Sequence, residues 1–278
     1  MTIIIDGKKI SDEILAKVKN EVASLSFKPI FCDVLVGNDP VSLQYVKMKM
    51  RMAESVGIGF HESFFPSSVS TENLIKEIKL LNNIPNMCGV IVQLPLPEYL
   101  DNRRILDAID PDLDVDCLGT VASEKFYKNK MDLHFPTALA CMTLLDSLNL
   151  NLNDKKIVVL GQGELVGKPV TALLHFRGLS PVTISSKTEN KENLIKEADI
   201  IISGIGDGKY ITGNMIKKSA VIIDAGTSES KGGVIGDVDL ESVKGIAGFV
   251  SPVPGGVGPI TIAMLFSNVL SVAKNKHE

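Results

Sequence analysis

The sequence predicts a two-domain α/β protein built on parallel, doubly wound sheets. Three observations carry this. Strand and helix patterns alternate almost throughout the 278 residues. Several strand candidates are nearly all apolar, as strands are when helices cover both faces of a sheet. One stretch, 110–134, is rich in polar and turn residues and has no clear period, so the first crossing between domains is placed there.

Taken in order, residues 10–25 read as an amphipathic helix and 29–36 as an apolar strand. The strand ends in Gly37-Asn38-Asp39-Pro40, where Asp39 suits an N-cap and Pro40 the first helical position. The next helix runs to about Val56 and stops at Gly57. Residues 71–82 form another helix, 88–94 a short strand and 101–108 a short helix. Beyond the crossing segment, 139–148 read as a connecting helix and 156–160 as a strand with a glycine-rich turn behind it. Residues 182–185, 199–203 and 221–224 are further short strands with helical patterns between them. A Pro/Gly-rich loop, 252–259, precedes a final helix, 260–273.

Composition narrows the classes of function. Apolar residues make up 45% and charged residues 22%, ordinary values for a soluble globular protein. The net charge of −4 and the lack of a long basic run argue against nucleic-acid or anionic-membrane partners. Cys32, Cys88, Cys117 and Cys141 form no CxxC pair, so no metal site is expected. The opening residues become charged at once, without the h-region of a signal peptide. No apolar run approaches the roughly 18 residues of a membrane helix. A reducing cytoplasm is the expected compartment.

The helix after Pro40 carries an anomaly. At 100° per residue, Val41, Tyr45, Met48, Met52 and Val56 fall in one stripe, and Lys47, Arg51 and Glu54 fall outside it. Lys49 lies on the apolar side, one turn from Tyr45 and between Met52 and Ala53. It is either a lysine snorkelling from the stripe's edge or a partly desolvated amine able to exchange protons near neutral pH. Ligands of open parallel sheets bind beyond the carboxyl ends of the strands, where the Gly37–Pro40 turn and Gln93 both fall. Gln93, which closes the run GVIVQLPLP, is a strand-end amide or a partner in chemistry. The stretch PDLDVDC adds Asp112, Asp114 and Asp116, which spacing alone does not rank.

The second constellation is the turn after 156–160. Gly161-Gln162-Gly163 and Gly167 give GxGxxxG between a strand and a helix start, the context in which backbone approaches a pyrophosphate. A tight structural turn would use the same glycines. The next strand ends in Ser185-Ser186-Lys187-Thr188 with no carboxylate before Glu189. Ser186 and Lys187 suit a 2′-phosphate, which favours NADP over NAD.

Together these stretches resemble the methylenetetrahydrofolate dehydrogenase/cyclohydrolase family. VGNDPVSLQYVKMKM is similar to the family's VGxDPxSxxYVxxKxK, and GVIVQLPLP matches its counterpart almost letter for letter. PDLDVDC, GQGELVGKP and SPVPGGVGPITIAML follow in the family's order. The resemblance implies an N-terminal α/β catalytic domain (1–118 with 260–278), a Rossmann-like dinucleotide-binding domain (137–259), a crossing segment at 119–136 and a cleft between the domains. It implies that Tyr45 packs on the folate, that Lys49 is catalytic with Gln93 as its polar partner, and that Asp116 anchors the pterin. Ser42 assists at the same helix start. Pro254, Gly255 and Gly256 belong to the loop that meets substrate and cofactor, and Gly161, Gln162, Gly163, Gly167, Ser186, Lys187 and Thr227 hold NADP. The implied partners are tetrahydrofolate derivatives and a second copy in a homodimer. The implied reactions are oxidation of 5,10-methylenetetrahydrofolate to a methenyl cation and its hydrolysis to 10-formyltetrahydrofolate.

The chain departs from the family pattern at Leu113, at Cys117-Leu118-Gly119, at Ala138, at Gln162 and within Asp224-Ala225-Gly226-Thr227. The changes beside Asp116 motivate a second reading, a dehydrogenase that has lost the hydrolase step. A third is a non-catalytic NADP-binding regulatory module, which would have no need of a desolvated lysine.

Overall fold

Along the chain the elements are β1 (Ile3–Ile4), α1 (Gly7–Val22), β2 (Ile30–Val36), α2 (Pro40–Ser55), β3 (Gly59–Phe65), α3 (Thr71–Leu81), β4 (Met87–Val92), α4 (Asn102–Leu106), α5 (Thr120–Tyr127), α6 (Pro136–Asp146), β5 (Ile157–Leu160), α7 (Gly167–Phe176), β6 (Val182–Ile184), α8 (Lys191–Glu197), β7 (Ile200–Ser203), β8 (Val221–Asp224), β9 (Ser228–Ser230), β10 (Gly233–Ile235), α9 (Leu240–Val243), β11 (Phe249–Val250) and α10 (Val257–His277). The structure, a computed structural model, describes residues 1–230 and 233–277. They divide into two units, one of Glu13–His134 with Leu265–Glu278 and one of Met1–Asp12 with Phe135–Met264.

The first unit is built on a three-stranded parallel sheet in the order β3-β2-β4. β2 is central and paired on both sides, and it is buried from Phe31 to Val36. The second half of α10 packs here. Phe266 meets Phe31 edge-on at 5.5 Å between ring centroids. Gly89 lets α10 come close to β4, because a Cβ there would lie 2.8 Å from Val269. β3 lies outside the predicted strands, since GFHESFF mixes polar residues with aromatics and forms the sheet's edge. The segment 110–134 contains the helix α5 and belongs wholly to this unit.

α2 starts as predicted: Asp39 Oδ2 accepts the Ser42 N–H at 2.7 Å, and Pro40 occupies the first turn. Its orientation differs from the prediction. The buried residues are Ser42, Val46, Lys49 and Ala53, whereas Val41, Tyr45 and Met48 are exposed. On a 100° wheel the buried face is turned by about 90° from the predicted stripe. Lys49 therefore belongs to the buried face, on the side nearest the exposed stripe.

The second unit carries a six-stranded parallel sheet in the order β1-β11-β8-β7-β5-β6. Val158, Leu160, Ile201, Ile222 and Ile195 form the middle of its core. Because β6 and β7 lie on opposite sides of β5, the strand order reverses there, and in sheets of this kind ligands bind outside the carboxyl ends of the strands at such a point. The N-terminal residues 1–12 join this unit, where the sequence placed them with the catalytic domain. β1 adds to β11 with Ile3 opposite Phe249 and Ile4 opposite Val250, and the Thr2 hydroxyl donates to Ala247 O at 2.7 Å. A two-residue strand leaves no periodicity to read. Likewise, α10 extends beyond 260–273 and includes the one described helix apolar enough to cross a membrane by length and composition. That window has a mean hydropathy of 1.4 and is 61% buried inside the protein, as a core helix would be.

Candidate active site

In the second unit the strand-turn-helix meets the requirements of a pyrophosphate cradle. Gly161 has φ +90°, and Gly167 has no room for a side chain, since a Cβ there would lie 1.9 Å from Gly161 O. Gly163 faces open space with nothing within 4 Å. No side chain caps the N-terminus of α7, so the first-turn amides are not claimed by one. Gln162 turns its amide onto Gly161 O at 2.8 Å.

Beyond β6, the Ser185 N–H donates to the Thr188 hydroxyl at 2.9 Å and the Lys187 N–H to the Ser185 hydroxyl at 3.3 Å. This tight turn leaves the Ser186 and Lys187 side chains exposed at the strand end. Thr227 is exposed beyond the carboxyl end of β8. Pro254, Gly255 and Gly256 follow β11, and Gly255 O accepts the Gly7 N–H at 3.0 Å.

Two buried carboxylates brace these loops. Asp237 accepts the Ser203 hydroxyl at 2.7 Å, the Ile205 N–H at 2.9 Å and the Asp207 N–H at 3.0 Å. Asp224 accepts the N–H groups of Gly226, Asp237 and Val238. Burial pushes the Asp224 carboxyl up to about 6, with Asp237 adding to the rise. Asp237 escaped the sequence reading; its only signal was an acid two residues past a hydrophobic run.

In the first unit, Lys49 Nζ donates to Gln93 Oε1 at 2.8 Å, and Gln93 Nε2 donates to Leu94 O at 2.8 Å. The amide is thus oriented with its oxygen toward the amine. A third group was not foreseen. Asp33, fully buried on β2, places Oδ2 2.6 Å from Lys49 Nζ. The signal was present as one acid inside the run IFCDVLV.

Asp116 lies in the same electrostatic neighbourhood. Burial pushes its carboxyl up to about 7, opposed by Lys49 and reinforced by Asp114 and Asp33. Asp114 is buried too, and it accepts the Gly119 N–H at 2.7 Å. It therefore organises the loop that carries Asp116. Asp112 instead lies exposed and pairs with Lys125 at 2.8 Å. Cys117 adopts φ +59°, a left-handed backbone, and Leu113 is buried. Tyr45 is exposed one turn before Lys49, and Ser42 is buried at the start of α2. The structure thus joins Lys49 to Gln93 directly, and it adds Asp33 to the pair.

One unit with a parallel sheet and a glycine cradle at the point where its strand order reverses, and a second unit with a buried amine, amide and carboxylate, define a two-domain dinucleotide-dependent enzyme. Comparison with known proteins is more specific. Residues 5–116 match the tetrahydrofolate dehydrogenase/cyclohydrolase catalytic domain, and residues 136–277 match the NAD(P)-binding domain of the same family. The chain belongs to the tetrahydrofolate dehydrogenase/cyclohydrolase family. It is 40% identical over 277 residues to the bifunctional protein FolD of Moorella thermoacetica, covering 98% of each chain. It is 39% identical to that of Methanoculleus marisnigri, covering 98% of this chain and 96% of the other. Among solved structures, the bifunctional enzyme FolD of Campylobacter jejuni superposes with a TM-score of 0.95 at 30% identity, over 99% of this chain and 100% of the other. The Trypanosoma brucei FolD, complexed with NADP cofactor and inhibitor, superposes with a TM-score of 0.93 at 30% identity, over 99% and 98%.

Proposed function

We propose that this chain is a bifunctional folate enzyme. It oxidises 5,10-methylenetetrahydrofolate to 5,10-methenyltetrahydrofolate with NADP, then hydrolyses the product to 10-formyltetrahydrofolate. The observation that carries this is the Lys49 amine held between Gln93 and a buried carboxylate, within a chain of this family.

NADP, when bound, accepts the hydride that leaves the bridging carbon. Gly161, Gly163 and Gly167 hold its pyrophosphate on backbone amides, with Ser186, Lys187 and Thr227 at neighbouring strand ends. Asp116 binds the pterin edge and fixes the reacting carbon, with Tyr45 against the folate ring and Ser42 assisting at the same helix start. In the second step water oxygen bonds to the methenyl carbon, the five-membered ring opens at one nitrogen, and Lys49 moves the protons with Gln93 as its partner. The departures beside Asp116 fit the loop: Leu113 is buried, and Asp114 holds Gly119. That supports retention of both activities. NADPH formation from methylenetetrahydrofolate, followed by release of 10-formyltetrahydrofolate, tests the whole proposal; a chain that binds NADP and turns over neither folate would defeat it.

Asp116 sets a pH dependence. To accept hydrogen bonds from the pterin it must be ionised, and burial has raised it to about 7. The kcat/KM for methylenetetrahydrofolate is expected to rise through about pH 7, and Asp116→Asn should lose both this limb and roughly tenfold or more in folate affinity. Asp112→Asn should leave both unchanged, so equal losses in the two variants would mean that the wrong carboxylate was chosen. The same raised carboxyl favours the folded state fully below its ordinary value of 3.8, and that contribution is lost as pH rises through about 7.

Cofactor preference follows from the turn after β6. No acid stands there to bind a ribose 2′-hydroxyl or repel a phosphate, and an exposed hydroxyl and ammonium are available. The wild type should favour NADP over NAD by about tenfold in kcat/KM, roughly 1.4 kcal/mol. Ser186→Asp should erase or reverse that ratio, and an unchanged ratio would place the phosphate elsewhere. A homodimer belongs to the same proposal. The β3 edge has no partner strand among the described residues and presents an exposed Phe64. Sedimentation of a monomer at micromolar concentration would remove it.

A further inference from the structure

We propose that Asp33 is a positioning residue of the active site, one that fixes the Lys49 amine and offsets its charge so that a substrate with a cationic reacting carbon can bind beside it. The proposal rests on the role just given to Lys49.

Asp33 is out of place by every structural criterion. It occupies the central strand of a parallel sheet, where the neighbouring residues Cys32, Val34, Leu35 and Val36 are all buried and all but one aliphatic. Its register partners are Glu62 on β3 and Ile91 on β4, neither of which brings a positive charge. Burying a carboxylate costs several kcal/mol unless it is well paired.

The other buried acids show how this fold pays for a structural carboxylate. Asp114, Asp224 and Asp237 each accept backbone N–H groups and each tie down a loop. Among the described residues no such donor reaches Asp33, and what it meets is the Lys49 ammonium at 2.6 Å. It holds no loop. Among the described residues its one ion-pair partner is the group to which proton transfer is assigned.

The chemistry supplies a reason. Oxidation removes a hydride from the bridging carbon and leaves a positive charge delocalised over the carbon and its nitrogens. An uncompensated ammonium nearby would repel that charge strongly, because few waters screen it in a buried site. With Asp33 at contact distance, the Lys49 side of the site is close to neutral, and the amine is held by an ion pair as well as by its hydrogen bond to Gln93. The other titratable groups that respond to Asp33 are Asp116 and the Cys32 thiol. Both are acidic groups, so neither can replace the pairing.

The test compares Asp33→Asn, Asp33→Glu and Asp33→Val with wild type. Asparagine keeps the shape and removes the charge. It should raise KM for methenyltetrahydrofolate by roughly tenfold while leaving the binding of tetrahydrofolate, which lacks the cationic carbon, within about twofold. The pH profile of hydrolysis should also shift, and glutamate should restore part of both. In a Lys49→Met background, Asp33→Asn should have no further effect on the residual rate, because its influence runs through the amine. If asparagine impairs folding, the valine variant, apolar like the rest of the strand, provides the same comparison. Unchanged KM and pH profile in a folded Asp33→Asn or Asp33→Val variant, with Lys49→Met inactive, would overturn this proposal alone. Normal hydrolysis by Lys49→Met would overturn the role of Lys49 and this proposal with it.

Discussion

Lys49→Met should lower the hydrolysis of methenyltetrahydrofolate by at least about two orders of magnitude, the usual worth of positioned acid–base catalysis. Methionine matches the length of the lysine stem and suits a position that is 9% exposed, so the helix face stays filled. What it removes is the ammonium, and Asp33 then lies buried without a counter-charge. Breaking a buried pair in this way costs about 3–5 kcal/mol if the remaining group stays ionised. Asp33 has an escape, since burial already raises its carboxyl above 3.8. Losing Lys49, which opposes that rise, moves it further up. A raised carboxyl contributes stability that is complete below 3.8 and is lost as pH rises through its folded value. The variant's deficit in Tm should therefore be smaller in mild acid and grow toward neutral pH. NADP binding, measured by titration, should be unchanged. Near-normal hydrolysis by a folded variant would refute the assignment.

Gly167→Ala is expected to have the largest effect on the other unit. Its Cβ would lie 1.9 Å from Gly161 O, well inside van der Waals contact, and the obstacle is backbone that cannot swing away. Either α7 or the β5–α7 turn must move. The expected cost is about 3 kcal/mol, the upper end of overpacking penalties, together with loss of measurable NADP binding. Gly163→Ala is the control. With nothing within 4 Å of its added methyl, Tm should hold while NADP binding weakens, since the methyl fills the space where backbone approaches pyrophosphate. If Gly163→Ala binds NADP as well as wild type does, the pyrophosphate lies elsewhere.

How much was legible follows the physics of each element. Long central strands and helices with caps announced themselves: β5, β8 and the Asp39-Pro40 start of α2 are where the sequence placed them. The edge strand β3 and the two-residue strands did not. β3 mixes polar and aromatic residues, and β1 with β11 is too short to carry a period. The rotation of α2 was misread because large apolar side chains were taken to mark the inside. Here Tyr45 and Met48 lie outside, while Ser42, Lys49 and Ala53 face inward. Lys49 was still found, since any wheel puts it away from its charged neighbours. Asp33 was missed for the opposite reason: hydrophobicity averaged over a strand conceals a single acid, and that acid is the most deeply buried group at the amine.

The pairing of β1 with β11 also bears on the order in which the protein can assemble during synthesis. Ile3 and Ile4 leave the ribosome long before the strand they join, Phe249–Val250, has been made. Contacts of such long sequence separation form slowly, because the loop must close before anything is gained. The catalytic sheet, whose strands fall between Ile30 and Val92, can form while the N-terminal residues are still unpaired. Those residues then act as a tether that closes only once Phe249 and Val250 have been made. A nascent chain truncated before Phe249 should leave the first dozen residues open to proteolysis, and one extended past Val250 should protect them.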